Sequence, residues 1–141
     1  MAEEDFEAQL NHSEMLLAAV DRLLRAARLG IRDVEGFCVA AGPGSFTGIR
    51  IGLATVKGLA FASGGSVAPV SSLPALALRL QSAETEARLL CPMIDAKKGE
   101  IYAALFEAGG GGTAEVVPQG AYTPEDFLAR LPEKRLIHFI G

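Results

Sequence analysis

Two groups of residues in this chain have the types and spacing that chemistry needs. The first is the run Gly42-Pro43-Gly44-Ser45-Phe46-Thr47-Gly48. A strand feeding a glycine-rich turn and then a helix can hold an anion. Glycines let the backbone come close, and the amides at a helix N-terminus point at the ligand. Gly42, Gly44, Ser45, Thr47 and Gly48 are therefore candidate phosphate contacts. The spacing excludes two nucleotide loops. Ile49 stands where a Walker A loop needs Lys. The order Gly-x-Gly-x-x-x-Gly is not the dinucleotide fingerprint, and no acidic residue follows about twenty positions on to hold a ribose. A tight strand-to-helix turn with no ligand stays open beside the anion-binding reading. The second group is Asp95, Lys97, Lys98, Glu100 and Tyr102. It has the residue types of an active site, but the alternation around Gly99 suits a polar hairpin tip.

Composition narrows the classes. The 141 residues are half apolar and about a fifth charged, a globular balance. The length suits one ordinary domain or two small lobes. A net charge of −4 leaves no broad basic surface, so tight autonomous nucleic-acid binding is not expected. The start Met1-Ala2-Glu3-Glu4-Asp5 is acidic and lacks the features of a signal peptide. No apolar run reaches the ~18 residues of a membrane span, and Ile51 to Ala62 is broken by Lys57. Cys38 and Cys91 each sit in an apolar, strand-like run and read as buried free thiols of a reducing cytosol.

Periodicity supplies the elements that would carry these residues. Residues 11–29 read as a helix, with Met15, Leu16, Val20, Leu23, Leu24 and Ala27 on one face. Asn11 with Glu14 forms a candidate capping box, and Gly30 a candidate stop. Phe37 to Ala41 reads as a strand buried on both faces. A helix over 48–63 follows the glycine loop, then a short strand at 67–70 whose Pro69 suits an edge, then a helix from Ser71 or Ser72 to Gln81. Beyond a polar stretch at 82–87 the pattern becomes hairpins. Leu89–Ile94 and Glu100–Phe106 flank the turn Asp95–Gly99, the tract Gly109–Gly112 forms a loop, and Glu115–Val117 a third strand. Thr123-Pro124-Glu125 starts a helix ending near Leu131-Pro132, and Leu136–Ile140 is the last strand. The domain reading is 1–85 for a first lobe and 86–141 for the start of a second, in an α/β arrangement.

The helix at 48–63 is poor on propensity, since each interior glycine costs about 1 kcal/mol against Ala. Gly48, Gly52 and Thr55 share one face; Ala54, Gly58 and Ala62 mark another. Such faces suit close packing, either on the helix's own sheet or against a helix from a second subunit.

The residues then reach a family. His12-Ser13-Glu14, the stretch Gly42 to Thr55, Lys57-Gly58-Leu59-Ala60, Val70-Ser71-Ser72-Leu73 and Ile94 to Tyr102 closely resemble the TsaB (YeaZ) family, in family order over about residues 12–107. The resemblance implies half of an actin-like, Hsp70-like ATPase fold, with two lobes built on ribonuclease-H-like sheets. It implies a non-catalytic, cytoplasmic subunit with no strongly bound cofactor. Such a subunit pairs with a TsaD-like catalytic subunit and a TsaE-like ATPase, and the complex uses ATP to install N6-threonylcarbamoyl on the adenosine beside the tRNA anticodon. Contact with tRNA would come only through the complex, and a homodimer is an alternative assembly. The heterodimer contact is a helix pair, which places His12, Leu16, Val20, Leu23, Gly48, Gly52 and Thr55 at the interface.

His12 bears on the rival readings. Catalytic relatives carry His-x-x-x-His, whose one-turn spacing puts two imidazoles on one metal. Leu16 holds the second position here, and His138 lies in the last strand. A zinc peptidase is therefore the weaker alternative, behind a nucleotide- or phosphate-binding enzyme using the Gly42–Gly48 loop. The sequence also departs from the family pattern: the first strands of lobe one and the end of lobe two have no counterpart. An incomplete fold would leave the strand at 37–41 with an unpaired edge, and poor stability alone is the expectation.

Overall fold

The structure is a computed structural model that describes residues 3–4, 12–81, 88–109 and 112–141. The chain divides into two compact units, one of residues 1–41 and 45–70, the other of 42–44 and 71–141. The boundary expected at 82–87, the Asn11 cap and the centre of the Gly109–Gly112 tract lie outside the described residues. So do the side chains of His12 and Glu14.

In the first unit, α1 (His12–Ala27) carries the expected apolar stripe. Its stop is not Gly30. Arg28 takes the left-handed conformation at φ 58°, the Leu29 amide donates to the Leu24 carbonyl at 2.9 Å, and Arg28 donates to Arg25 at 3.0 Å. That is a Schellman closure with arginine where glycine is usual. Gly30 instead opens a 3-10 turn, Ile31–Asp33, donating its amide to Asp33 Oδ2 at 2.7 Å. Strand β1 (Gly36–Gly42) pairs with β2 (Ser66–Ser71) in a two-stranded sheet. Between them runs α2 (Phe46–Ser63), stopped by Gly64 at φ 78°.

The expectation that 37–41 is buried on both faces fails. Phe37 and Val39 are half-buried, while Cys38, Ala40 and Ala41 are exposed. A two-stranded sheet offers too little surface to enclose an apolar strand on both sides. The Cys38 thiol is correspondingly exposed, against the buried reading.

The second unit is a four-stranded sheet in the order β5-β4-β3-β6. It comprises β3 (Leu89–Lys97), β4 (Glu100–Gly109), β5 (Gly112–Tyr122) and β6 (Ile137–Ile140), with β6 parallel to β3 and the other pairs antiparallel. Both faces are covered, which explains the unbroken apolar run at the start of β3. On one face α3 (Ser72–Gln81) packs Leu73 and Ala77 on Leu90, Ala104 and Phe106. On the other, Phe127 of α4 (Pro124–Leu128) packs with Leu89, Cys91, Ala103, Leu105 and Val117. Thr123 caps α4 by accepting from the Asp126 amide at 3.2 Å. This helix is shorter than expected and gives way to single turns as far as Leu131. The β3–β4 loop is tighter than Asp95–Gly99. Lys97 pairs with Glu100 across Lys98-Gly99, whose φ angles of 54° and 81° are those of a two-residue type I′ turn. Among the described residues no helix is long and apolar enough to cross a membrane.

Both units mix helices with strands, the α/β class expected from the sequence.

Candidate functional site

The glycine loop begins at Gly42, whose φ of 112° is a conformation that side chains rarely adopt. By their contacts Gly42 and Gly44 count with the second unit; Ser45, Thr47 and Gly48 count with the first. In the first unit Ser45 is the cap of α2. Its Oγ accepts the Gly48 amide at 3.2 Å and its carbonyl accepts the Ile49 amide at 2.9 Å. The N–H that an anion would use at Gly48 is therefore already bonded to Ser45. The run Ser45–Gly48 starts a helix two residues earlier than the glycine spacing suggests, with Gly48 in its first turn. Thr47 is exposed there.

Of the expected interface residues on α1, Leu16, Val20 and Leu23 are all half-buried. Val20 and Leu23 join Leu24, Ala27, Ile31, Val34 and Phe37 around an open apolar groove of about 300 Å³. The outer face of α1 is charged. Arg25 Nε meets Asp21 Oδ2 at 2.9 Å, and Arg22 binds the Glu4 carboxylate. The hydrogen bond from Arg22 holds the Glu4 carboxyl below its ordinary value, and the same contact raises Arg22.

On α2 the expected face turns partly inward. A Cβ on Gly52 would sit 3.8 Å from Val39 Cγ2 of β1, so this glycine lies against its own strand. One on Gly48 would meet Ser45 at 3.4 Å. Thr55 is half-buried. The outward face is another one. Phe46, Arg50, Ala54, Lys57, Gly58 and Phe61 are all exposed, Phe61 to 92% and Phe46 to 67%. Only Ala60 of this helix is fully buried. Sequence reasoning named Ala54 and Gly58 as a second small-residue face but passed over the two phenylalanines. Phe61 stands four residues from Lys57 and three from Gly58, and Phe46 four from Arg50 and eight from Ala54, which was the available signal.

The polar group at the hairpin tip is a structural turn. The Asp95 carboxylate accepts the Lys97 amide at 2.7 Å and the Lys97 ammonium at 2.6 Å. His138 is half-buried on β6 in the second unit, whereas α1, which carries His12, belongs to the first. No three His, Cys, Asp or Glu side chains gather as metal ligands among the described residues.

Comparison with known proteins agrees with these motifs. The family model "TsaD: tRNA N6-adenosine threonylcarbamoyltransferase" matches residues 6–138. The chain is 36% identical over 132 residues to the tRNA threonylcarbamoyladenosine biosynthesis protein TsaB of Bacillus subtilis, covering 93% of this chain and 56% of that protein. It is 37% identical over 98 residues to the TsaB of Haemophilus influenzae, covering 67% and 40%. The chain thus spans about half the length of the curated relatives it matches. In structure it is similar to YeaZ from Pseudomonas aeruginosa, with a TM-score of 0.75 and 25% identity over 94% of this chain and 70% of that one.

Proposed function

The chain belongs to the TsaB (YeaZ) family, within the reach of the TsaD family model, and from that premise we propose that it is a non-catalytic scaffold subunit in tRNA threonylcarbamoyladenosine biosynthesis. In this role it holds a TsaD-like catalytic subunit, with a TsaE-like ATPase and tRNA joining through the complex. ATP is consumed by the complex, and this chain binds no nucleotide strongly. It works in the cytoplasm.

The observation that carries the reading is the outward face of α2. A helix with a single fully buried residue presents an exposed phenylalanine toward each end of its outward side, with the open Gly58 one turn before the second. Exposed apolar area of this kind mostly marks a contact surface. Catalysis has less support. Leu16 stands where the catalytic relatives have their second histidine, and Ser45 occupies the Gly48 amide of the glycine loop.

The test is copurification with a tagged TsaD-like subunit. Phe61→Glu and Gly58→Leu alter exposed positions with nothing to clash in the free chain, and both should lose the partner. Gly52→Leu is a poor probe, because its side chain would meet Val39 before any partner. Retention of the partner by both variants would remove the interface assignment. Strong ATP binding by the isolated chain would favour the nucleotide-binding reading instead.

A further inference from the structure

The charge on α2 runs against the charge on the chain. The protein is net −4, yet the two charged residues of this helix are both cations, Arg50 and Lys57. Both are exposed, and neither has an ion-pair partner among the described residues. They stand seven residues apart, two helical turns, and so project from the same side. Phe46 and Phe61 flank them, with Ala54 between. Arg50 is also ordered in advance: its guanidinium lies 3.5 Å from the centre of the Phe46 ring. On α1 the exposed cations Arg22 and Arg25 each have a carboxylate at hand, Glu4 and Asp21, whereas Arg28 and Arg32, also exposed, have no ion pair among the described residues; the stacking on Phe46 and the apolar setting are what set Arg50 apart. An unpaired, stacked cation in an apolar stripe asks for an anion from outside.

We infer that the segment docking on this face is an acidic helix of the partner protein, with two carboxylates about two turns apart that meet Arg50 and Lys57. This rests on the α2 interface reading above and gives that interface its chemistry: phenylalanines bury area while the cations fix register and speed encounter. A pair of carboxylates two turns apart on the partner satisfies both cations at once; a neutral or basic helix leaves them desolvated and unpaired.

The experiment is isothermal titration of the full chain against the TsaD-like subunit at several salt concentrations. The variants are Arg50→Glu/Lys57→Glu, the milder Arg50→Ala/Lys57→Ala and Phe61→Glu, each checked for native circular dichroism. The inference expects wild-type affinity to fall as salt rises. It expects the double reversal to weaken binding roughly tenfold or more, with the alanine pair in between. Compensating Glu→Lys changes on the partner should restore the reversed variant. If Phe61→Glu abolishes binding while both charge variants match wild type and affinity is flat in salt, the acidic partner is overturned and the interface stands. If Phe61→Glu also binds normally, the interface reading falls and takes this inference with it. If the charge variants keep the protein partner but the complex loses tRNA, the cations face RNA and the inference is likewise overturned.

Discussion

Gly52 of α2 faces Val39 of β1 closely enough that an added Cβ would rest 3.8 Å from Val39 Cγ2, an ordinary van der Waals contact. There is room for a methyl group, and a longer side chain reaching toward β1 would press on Val39. Gly52→Ala should therefore stabilise the chain by up to about 1 kcal/mol, the gain in helix propensity. Gly52→Leu should destabilise it by about 1–3 kcal/mol through overpacking. Urea unfolding of the two variants measures both. A leucine tolerated without loss would mean that α2 does not sit on β1 as described.

Gly58 behaves differently because nothing lies within 4 Å of a Cβ placed there. Gly58→Ala should raise stability by about 0.5–1 kcal/mol. If the outward face of α2 is a close contact, the same change should leave the partner's affinity unchanged or lower. A variant less stable than wild type would show that Gly58 is needed by the free fold.

These two glycines show where sequence reading reaches its limit. Their presence in a helix, the strand before it and the turn between were all legible, because propensity and periodicity are local. Which face turns inward was not. Gly48, Gly52 and Thr55 form as good a small-residue face as Ala54 and Gly58, and the choice depends on where β1 lies. The same limit explains Cys38. Its apolar neighbours imply burial, but burial depends on how many strands share the sheet, which among the described residues is two. In the second unit, patterns set by local chemistry survived well. The Thr123 cap, the run Leu89–Pro92 and the β3–β4 hairpin all form. The hairpin's loop length did not survive, since Lys98 holds the first turn position, where Asn, Asp or Gly is usual, and only Gly99 signals the turn.

Arg28 ends α1 at φ 58°, where a side chain raises the energy by about 1–2 kcal/mol and glycine does not. Arg28→Gly should accordingly stabilise the chain by about 0.5–1 kcal/mol, some of the gain being lost to the freer unfolded chain. Thermal unfolding followed by circular dichroism reads the shift. A lower midpoint would show that the arginine side chain makes a contact worth more than its strain.

The Asp95 carboxyl is held below its ordinary value, first by the hydrogen bond from the Lys97 ammonium and then by the Lys97 amide. A folded-state value below the unfolded one favours the folded turn above the unfolded value, and that support is lost as pH falls through the folded value. Acid should therefore loosen the 95–100 turn before the rest of the hairpin. Asp95→Asn keeps an oxygen for the Lys97 amide and removes the charge, so its turn should not respond to pH over that range. Chemical shifts of the Lys97 and Lys98 amides, followed from pH 6 to about 2, provide the check. Equal acid sensitivity in wild type and Asp95→Asn would rule this account out.

The two thiols should separate by reactivity. Cys38 lies exposed on β1, open to a reagent in the native state. Cys91 is fully buried on β3 between Leu89 and Phe127, and burial pushes its thiol up to about 12. The thiolate is the attacking form, so at pH 8 only on the order of one Cys91 in 10⁴ is reactive even where reagent can reach it. Burial in the central sheet then removes access as well. Modification with a thiol reagent at pH 8 should show one fast thiol and one whose rate follows denaturant, because Cys91 reacts only when the sheet opens. Cys38→Ser should remove the fast phase and leave the slow one untouched. Two thiols reacting at the same fast rate in native buffer would mean that the Leu89–Cys91–Phe127 core is open in solution.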